Sequence, residues 1–226
     1  MDRKLKAVLY MPDGNRRYAR ENKLPFSEAY SVGARTLKLF SDFFIAKGRA
    51  EIFIFHAMSS YTHKRTDMTL EPIYDALTEC FDELGEFFSA ENIRFRAIDH
   101  SGAIPLSLKT AARRLEQFTL KGSSGEVVVL LGYSLEADLN SALANNPKDY
   151  NGLRKRLLFP DIDLVIRPKE MRLSSGPVYA MAQSQMITLN KLNPEVKEID
   201  LLNIVEEFFQ WRSNKERNNP FHRKKV

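Results

Sequence analysis

A turn near the start of the chain carries residue types that suit anion chemistry. Residues 8–19 read Val-Leu-Tyr-Met-Pro-Asp-Gly-Asn-Arg-Arg-Tyr-Ala, which predicts a short strand, a polar turn and the first turn of a helix. Backbone N–H groups and the helix dipole attract an anion there, Gly14 permits a close approach, and Arg16 and Arg17 add positive charge. The carboxylate of Asp13 fits beside phosphate oxygens if a hard cation such as Mg²⁺ bridges them. An ordinary turn with a helix cap and solvated arginines is the alternative.

The composition is that of a globular protein with an excess of positive charge. Of its 226 residues, 43% are hydrophobic, enough to bury the core of one domain. The formal net charge of +5 favours an anionic partner, and charge alone leaves nucleic acid, a membrane surface and a diphosphate open. The single cysteine, Cys80, excludes an internal disulfide and fits a cytoplasmic location. We expect no signal peptide and no stable membrane insertion, because no apolar run approaches the roughly 20 residues that span a bilayer.

Strand and helix patterns alternate along the chain. The apolar runs at 51–58 and 126–132 are typical of strands buried on both faces of a parallel sheet. The predicted strands are 6–11, 51–58, 93–98, 126–132 and 163–167, and the predicted helices are 14–22, 27–47, 70–91, 106–119, 135–144 and 201–212. This order predicts a single α/β domain over residues 1–226, with an open, mainly parallel central sheet flanked by helices. A basic tail is expected from about residue 213 to residue 226.

Polar segments follow the predicted strands at the points where the strands end. Ligands bind beyond the carboxyl ends of the strands in such a sheet. The segments that belong at this edge are 13–17, 59–67, 99–102, 133–138 and 167–175. In the last of them, Arg167, Arg172 and Ser174 could hold a second anion by charge-assisted hydrogen bonds. The alternative is a basic loop with a serine helix cap.

The first turn also resembles a motif of a known family. The cis-prenyltransferases, or undecaprenyl diphosphate synthase family, carry Pro-Asp-Gly-Asn-Arg-Arg-Trp-Ala, which residues 12–19 match except that Tyr18 replaces Trp. Residues 163–175 resemble the family's Asp-Leu-Leu-Ile-Arg-Thr-Gly-Gly-Glu-x-Arg-Leu-Ser-Asn, with Pro168-Lys169 in place of Thr-Gly-Gly. Matches extend from about Lys6 to Pro194, so the resemblance covers most of the chain.

The resemblance implies a role for each residue of the two anion sites. Asp13 would bind Mg²⁺ and, together with Asn15 and Arg17, act in catalysis on an allylic prenyl diphosphate. Isopentenyl diphosphate, or dimethylallyl diphosphate as a second allylic substrate, would lie on the segment 167–175. The residues implied to bind substrate are Gly14, Arg16, Ser59, Arg65, Arg167, Arg172 and Ser174. We further expect a homodimer and no nucleic-acid partner.

Several positions depart from the family pattern. The family's Ser-Thr-Glu-Asn-Trp-Lys-Arg corresponds to Ser59–Arg65, where Tyr61, Thr62 and His63 replace Glu, Asn and Trp. The other replacements are Tyr30 for a histidine, Gln185 for a carboxylate associated with metal binding, and Asn193 for a tryptophan. The family's basic tail is matched only loosely at 217–221. Because both diphosphate-binding segments persist, we interpret the chain as a divergent, working enzyme.

Four hypotheses for the function remain open. The first is a short-chain cis-prenyl diphosphate synthase. The second is an irregular enzyme of the lavandulyl type, which joins two dimethylallyl units head-to-middle, or a terpene-cyclising variant of it. The third is a non-catalytic partner subunit of a prenyltransferase, against which Asp13 and both arginine segments argue. The fourth, a nucleic-acid-binding protein, is suggested only by charge, since no recognition motif supports it.

The product is expected to be short, in the range of roughly C10 to C20. Bulky side chains shorten a cavity, and phenylalanines crowd the two predicted helices, 27–47 and 70–91, that are expected to wall the substrate tunnel. These residues are Phe40, Phe44, Phe81, Phe87 and Phe88. The alternative is that they belong to the ordinary core and that the tunnel lies elsewhere.

Overall fold

Six strands form one sheet in the computed structural model, which describes residues 4–66, 69–144 and 146–218. The strands are β1 (Leu5–Tyr10), β2 (Ala50–Phe55), β3 (Ile93–Asp99), β4 (Gly125–Gly132), β5 (Leu164–Pro168) and β6 (Gln185–Leu189). They lie in the order β3-β4-β2-β1-β5-β6, and every neighbouring pair is parallel. The open parallel α/β sheet predicted from the sequence is confirmed.

Strand β1 occupies the position that creates a binding crevice. It pairs with β2 on one side, where Val8 lies opposite Phe53, and with β5 on the other, where Val8 lies opposite Leu164. The chain therefore leaves β1 toward one side of the sheet and returns, after β4, to its other side. Such a reversal of strand order opens a crevice beyond the carboxyl ends of the strands. The residues that follow β1 thus lie where a ligand can enter.

Helices connect the strands in the order expected for crossover connections. They are α1 (Asn15–Asn22), α2 (Phe26–Ala34), α3 (Thr36–Ser41), α4 (Glu71–Ala90), α5 (Leu106–Phe118), α6 (Leu135–Leu143), α7 (Tyr150–Arg154) and α8 (Glu198–Asn218). The helix predicted over 27–47 is interrupted at Arg35 and ends in a π-helical turn, Asp42–Ala46. The start of the predicted basic tail is helical, because α8 continues to Asn218; residues 219–226 lie outside the described part of the chain.

Each face of the sheet packs against its own apolar core. Alternate residues of β1 point to opposite faces, so Val8 and Tyr10 join one core while Ala7 and Leu9 join the other. The first core contains the phenylalanines that we expected to wall the tunnel: Phe40, Phe44, Phe81 and Phe88 are fully buried and Phe87 packs against them. Their rings stack on strand residues, with the Tyr10 and Phe40 centroids 3.9 Å apart. They fill the layer between the sheet and helices α3 and α4.

Two elements were not predicted from the sequence. Strand β6 has the short, half-buried pattern of an edge strand, and its pairing with β5 from Leu164–Gln185 to Pro168–Leu189 defines it better than its sequence does. The five-residue helix α7 is too short for a helical period to show. Both lie outside the turns that carry the site.

Candidate active site

One cavity of about 400 Å³ opens at the carboxyl ends of β1, β2 and β5. Helices α1, α2 and α4 form its other walls. Every residue that the sequence analysis singled out for catalysis or substrate binding lines it: Asp13, Gly14, Asn15, Arg16, Arg17, Ser59, Arg65, Arg167, Arg172 and Ser174. Segments that are separated by up to about 160 residues of sequence therefore meet around one space.

The turn after β1 is fixed by a glycine that no other residue can replace easily. Gly14 has a φ of 95°, in the region that disfavours side chains, and a Cβ there would lie 2.6 Å from the Leu192 Cδ2 atom. Its carbonyl accepts a hydrogen bond from the Tyr18 N–H at 2.8 Å, which starts α1 directly. The first turn of the helix, whose backbone N–H groups have no partner within the helix, consequently lines the cavity with Asn15, Arg16 and Arg17.

Arg167 links the two segments in which we predicted diphosphate sites. Its side chain, only 4% exposed, donates to the Asp13 Oδ2 atom at 3.0 Å. The same guanidinium donates to the Ser174 Oγ atom at 3.0 Å and to the backbone carbonyl of Arg172. Its Nε atom is buried and has no hydrogen-bond partner among the described residues. Arg167 thus acts as a clamp between the turn after β1 and the loop after β5.

The loop after β5 turns back on itself through two residues in the left-handed region. Lys169 has a φ of 57° and Ser174 has a φ of 52°, which is uncommon for residues with a side chain. This path brings Ser174 to the clamp while the side chain of Arg172, 70% exposed, pairs with Glu170 at 3.1 Å. Lys169, the cation that this loop has in addition to the family pattern, is not a lining residue of the cavity; its Nζ atom donates to the Asn190 Oδ1 atom at 2.5 Å.

In the loop after β2, two of the residues that depart from the family pattern, Thr62 and His63, have different surroundings. Thr62 lines the cavity and its Oγ1 atom accepts a hydrogen bond from the Ser59 N–H at 3.2 Å. His63 instead ties the loop to the fold: its Nδ1 atom lies 2.9 Å from the Tyr74 hydroxyl and its Nε2 atom 2.7 Å from the Leu131 carbonyl. Asp67, the last residue of the segment 59–67 that was predicted to lie at this edge of the sheet, is outside the described residues.

Part of the cavity lining is apolar. Helix α2 contributes Ala34, strand β2 and its loop contribute Phe55 and Met58, and α4 contributes Ala76 and Leu77. The rest of the described lining includes a single acidic residue, Asp13, and six arginines: Arg16, Arg17, Arg20, Arg65, Arg167 and Arg172. A ligand with an anionic head and a short hydrocarbon tail matches this division.

Tyr30 lies on the wall where a family histidine was expected. It is half-buried in α2, and burial raises the pKa of its hydroxyl, so the group stays protonated at neutral pH. Tyr30 can donate a hydrogen bond there but cannot exchange a proton near neutrality as a histidine does.

Two residues of the site were missed as functional candidates. His56, directly after β2, lies in the cavity wall, and burial lowers the pKa of its imidazole to about 4. Asn193, between β6 and α8, is fully buried and hydrogen-bonds both the Asp13 carbonyl and the Asn15 side chain. In the sequence, Asn193 showed only as a replaced tryptophan, since its role depends on contacts across most of the chain.

The residues present fit a Mg²⁺ ion held mainly by its substrate. Among the described residues, no group of three or more metal-binding side chains converges. Asp13 is the one carboxylate of the described lining, and Mg²⁺ in phosphate sites commonly binds one or two carboxylates, substrate phosphates and water. Gln185 is not a cavity residue; it lies on β6, and its Oε1 atom is buried without a partner among the described residues.

The fold and the cavity together define a class: an α/β protein with a cavity lined by arginines, one aspartate and apolar side chains, at the switch point of a parallel sheet. Comparison with known proteins is specific about the family. The model of the family described as "Putative undecaprenyl diphosphate synthase" matches residues 11–217. The chain belongs to this family, the cis-prenyltransferases, and is a prenyltransferase.

Characterised relatives cover nearly the whole chain. The chain is similar to the tritrans,polycis-undecaprenyl-diphosphate synthase (GGDP specific) of Sulfolobus acidocaldarius, with 27% identity over 90% of this chain and 85% of that protein. It is also similar to the isoprenyl transferase of Helicobacter pylori, with 26% identity over 93% of this chain and 96% of that protein.

Solved structures show the same fold. Lavandulyl diphosphate synthase from Lavandula x intermedia, in complex with dimethylallyl diphosphate, superposes with a TM-score of 0.84 and 20% identity, covering 92% of this chain and 96% of that one. A probable undecaprenyl diphosphate synthase from Campylobacter jejuni gives a TM-score of 0.74 at 20% identity, covering 91% and 95%. In this chain, every helix within the described residues is too short or too polar to cross a bilayer.

Proposed function

We propose that the protein couples an allylic prenyl diphosphate to isopentenyl diphosphate, or to a second allylic diphosphate, and releases a short product. The observation that carries this proposal is the cavity of about 400 Å³, whose lining combines arginines and Asp13 with the apolar side chains of Ala34, Ala76 and Leu77. This volume is near the lower end of the range for small-molecule sites, about 300–1,000 Å³. It suits a short prenyl chain.

The allylic substrate would lie on the turn after β1. Its diphosphate would accept hydrogen bonds from the N-terminus of α1 and from Arg16, with Asp13 as the protein ligand of Mg²⁺. When bound, Mg²⁺ would neutralise diphosphate oxygens and weaken the bond between C1 and oxygen. Arg17 would stabilise the charge on the leaving diphosphate, and Asn15 would bind it from the start of the helix.

The second substrate would lie on the loop after β5 and on Arg65. Arg172 and Ser174 would bind its diphosphate, and the clamp residue Arg167 would set the distance between the two substrates. The bond between C1 of the allylic substrate and its oxygen breaks, and the electron pair leaves with the diphosphate. The acceptor's double bond then attacks C1, and loss of a proton from the adduct restores a neutral chain; an oxygen of the released diphosphate can accept that proton.

Packing supports a short product. The five phenylalanines that were expected to wall the tunnel do not line the cavity, so that expectation was wrong; they pack in the layer between the sheet and helices α3 and α4. Tyr10, Phe40 and Phe53 form a stack in that layer, with centroid distances of 3.9 and 5.5 Å. A growing chain would have to displace these close-packed rings, which is costly in a protein interior.

Product analysis tests the proposal. Purified protein would be incubated with Mg²⁺ and dimethylallyl diphosphate, with and without isopentenyl diphosphate, and the dephosphorylated products identified by mass spectrometry. We expect roughly C10 to C20 products, and at least a ~100-fold lower rate for Asp13→Ala with an unchanged circular dichroism spectrum. A product from dimethylallyl diphosphate alone would establish irregular coupling or cyclisation. A ladder beyond about ten isoprene units, or full activity in Asp13→Ala, would contradict the proposal.

We also propose that the protein is a homodimer, as the family resemblance implies. Light scattering coupled to gel filtration would then give twice the chain mass of 26.0 kDa.

A further inference from the structure

Asn193 is a fully buried amide whose orientation is determined by its neighbours. Its Oδ1 atom accepts a hydrogen bond from the Tyr10 hydroxyl at 2.7 Å and lies 3.0 Å from the Thr36 Oγ1 atom. Its Nδ2 atom donates to the Gly33 carbonyl at 3.0 Å and to the Asn15 Oδ1 atom at 2.9 Å. A backbone carbonyl can only accept, so the nitrogen of the amide must face Gly33 and the oxygen must face Tyr10.

The orientation of Asn193 dictates that of Asn15. Because Asn193 offers an N–H to Asn15, the Asn15 atom that meets it must be the acceptor, Oδ1. The Nδ2 group of Asn15 therefore lies on the side of its amide away from Asn193, and Asn15 is one of the residues that line the cavity. An N–H group there can donate to an anionic oxygen but cannot bind a cation.

The contact leaves Asn15 little freedom to rotate. A Cβ built on Gly33 would lie 2.4 Å from the Asn15 Oδ1 atom and 2.7 Å from the Asn193 Nδ2 atom, so the three groups pack without a gap. The backbone N–H of Asn193 also donates to the Asp13 carbonyl at 2.8 Å. Both residues that flank Gly14 are thus held by one buried side chain and its own backbone.

We infer that Asn193 is a positioning residue, which fixes the Asn15 amide with its N–H group toward the cavity and thereby makes Asn15 a hydrogen-bond donor to substrate diphosphate. The inference rests on the proposed function, in which the cavity binds a prenyl diphosphate. It gives this chain's asparagine, at a position where the family resemblance has tryptophan, a role in the site and not only in the core.

A double-mutant cycle tests the inference, with inorganic pyrophosphate as the probe and calorimetric affinity as the readout. We expect Asn193→Ala to weaken pyrophosphate binding by about 10-fold, the effect of losing one well-placed donor to an anion. In an Asn15→Ala background the same substitution should change the affinity by less than about twofold, because the group through which it acts is gone. Tyr10→Phe is the matched control: it removes a hydrogen bond to Asn193, whose orientation Gly33 still fixes, so pyrophosphate affinity should stay within about twofold.

Each outcome of the cycle decides a different claim. Equal losses for Asn193→Ala in both backgrounds, or wild-type affinity in the single variant, would overturn the inference while the proposed function stands. A wild-type protein that binds no pyrophosphate would overturn the proposed function and the inference with it. If Asn193→Ala does not fold, Asn193→Asp is measured instead, because aspartate fills the same volume and lacks the N–H donor that faces Asn15. If neither variant folds, Asn193 serves folding alone and the inference is wrong.

Discussion

Arg167 and Arg172 carry the same charge and lie five residues apart, yet the structure predicts that their removal affects different properties of the protein. Arg167 is buried and donates to Asp13, to Ser174 and to the Arg172 carbonyl. The side chain of Arg172 is 70% exposed and pairs only with Glu170 among the ion pairs found in the described residues. Arg167→Ala and Arg172→Ala therefore form a matched pair that separates architecture from substrate binding.

The magnitudes follow from burial. Removing one member of a buried ion pair costs about 3–5 kcal/mol, and Arg167→Ala belongs at the lower end, because the Asp13 side chain is 31% exposed and water can replace part of the lost contact. We expect the free energy of unfolding to fall by about 3 kcal/mol, which lowers Tm by roughly 6–12 °C in a chain of this size. Arg172→Ala breaks an exposed pair and should change the free energy of unfolding by about 0.5 kcal/mol at most.

Kinetics should separate the two variants in the same way. Arg167→Ala should lower kcat, because Asp13 loses the contact that fixes its carboxylate. Arg172→Ala should leave kcat nearly unchanged and raise the KM of the acceptor by about 10-fold, because in the proposed function Arg172 would hold a diphosphate that does not react. Urea unfolding and steady-state kinetics on both proteins provide the measurements. If both variants unfold like the wild type and raise only KM, Arg167 is a substrate ligand and not a clamp.

Three further substitutions have effects that the contacts specify. Burial lowers the pKa of His56 to about 4, against about 6.5 in the unfolded chain, so protonation of this imidazole favours unfolding. The free energy of unfolding should therefore fall by up to about 3 kcal/mol between pH 6.5 and pH 4. Urea unfolding of His56→Gln over the same pH range should lack this loss. Asp138 accepts hydrogen bonds from the hydroxyls of Tyr133 and Tyr179, which pack in the second core, outside the cavity lining. Asp138→Ala should therefore lower the free energy of unfolding by about 3 kcal/mol and leave the KM of both substrates unchanged. A raised KM would show that Asp138 also affects substrate binding. Gly33→Ala adds a Cβ 2.4 Å from the Asn15 Oδ1 atom and should lower kcat at least about 10-fold, whereas in Gly85→Ala the new Cβ has no neighbour closer than 3.5 Å and activity should persist.

The fold was predictable where burial leaves a pattern in the sequence. Strand β4 is apolar along most of its length because both of its faces are covered, and such runs identify parallel strands without any knowledge of their partners. Strand β6 was missed because an edge strand of five residues is defined by its pairing with β5. The break at Arg35 was missed for a similar reason, since the apolar spacing on either side of it remains helical.

Motifs in the sequence predicted residues that line the cavity, but not how these residues contact one another. Arg167 was predicted to bind substrate diphosphate and Asp13 to bind Mg²⁺. Nothing in the sequence indicates that these two side chains, 154 residues apart, form a hydrogen bond with each other. Helical spacing likewise marked Phe40 and Phe81 as inward-facing without showing whether they face the cavity or the core. Contacts between distant segments decide such questions, and a single sequence does not contain them.

At two of the three positions where the resemblance has tryptophan, the chain carries a side chain that needs hydrogen-bond partners. His63 and Asn193 replace apolar rings by groups that need hydrogen bonds, and an unpaired buried polar group costs about 1–3 kcal/mol. Both are satisfied by partners from other elements: His63 by the Tyr74 hydroxyl and the Leu131 carbonyl, and Asn193 by Tyr10 and by the turn around Asn15. His63 thus fixes the loop after β2, whereas Asn193 fixes the turn at Asp13–Arg17; both segments line the cavity, and the turn's own residues are unchanged.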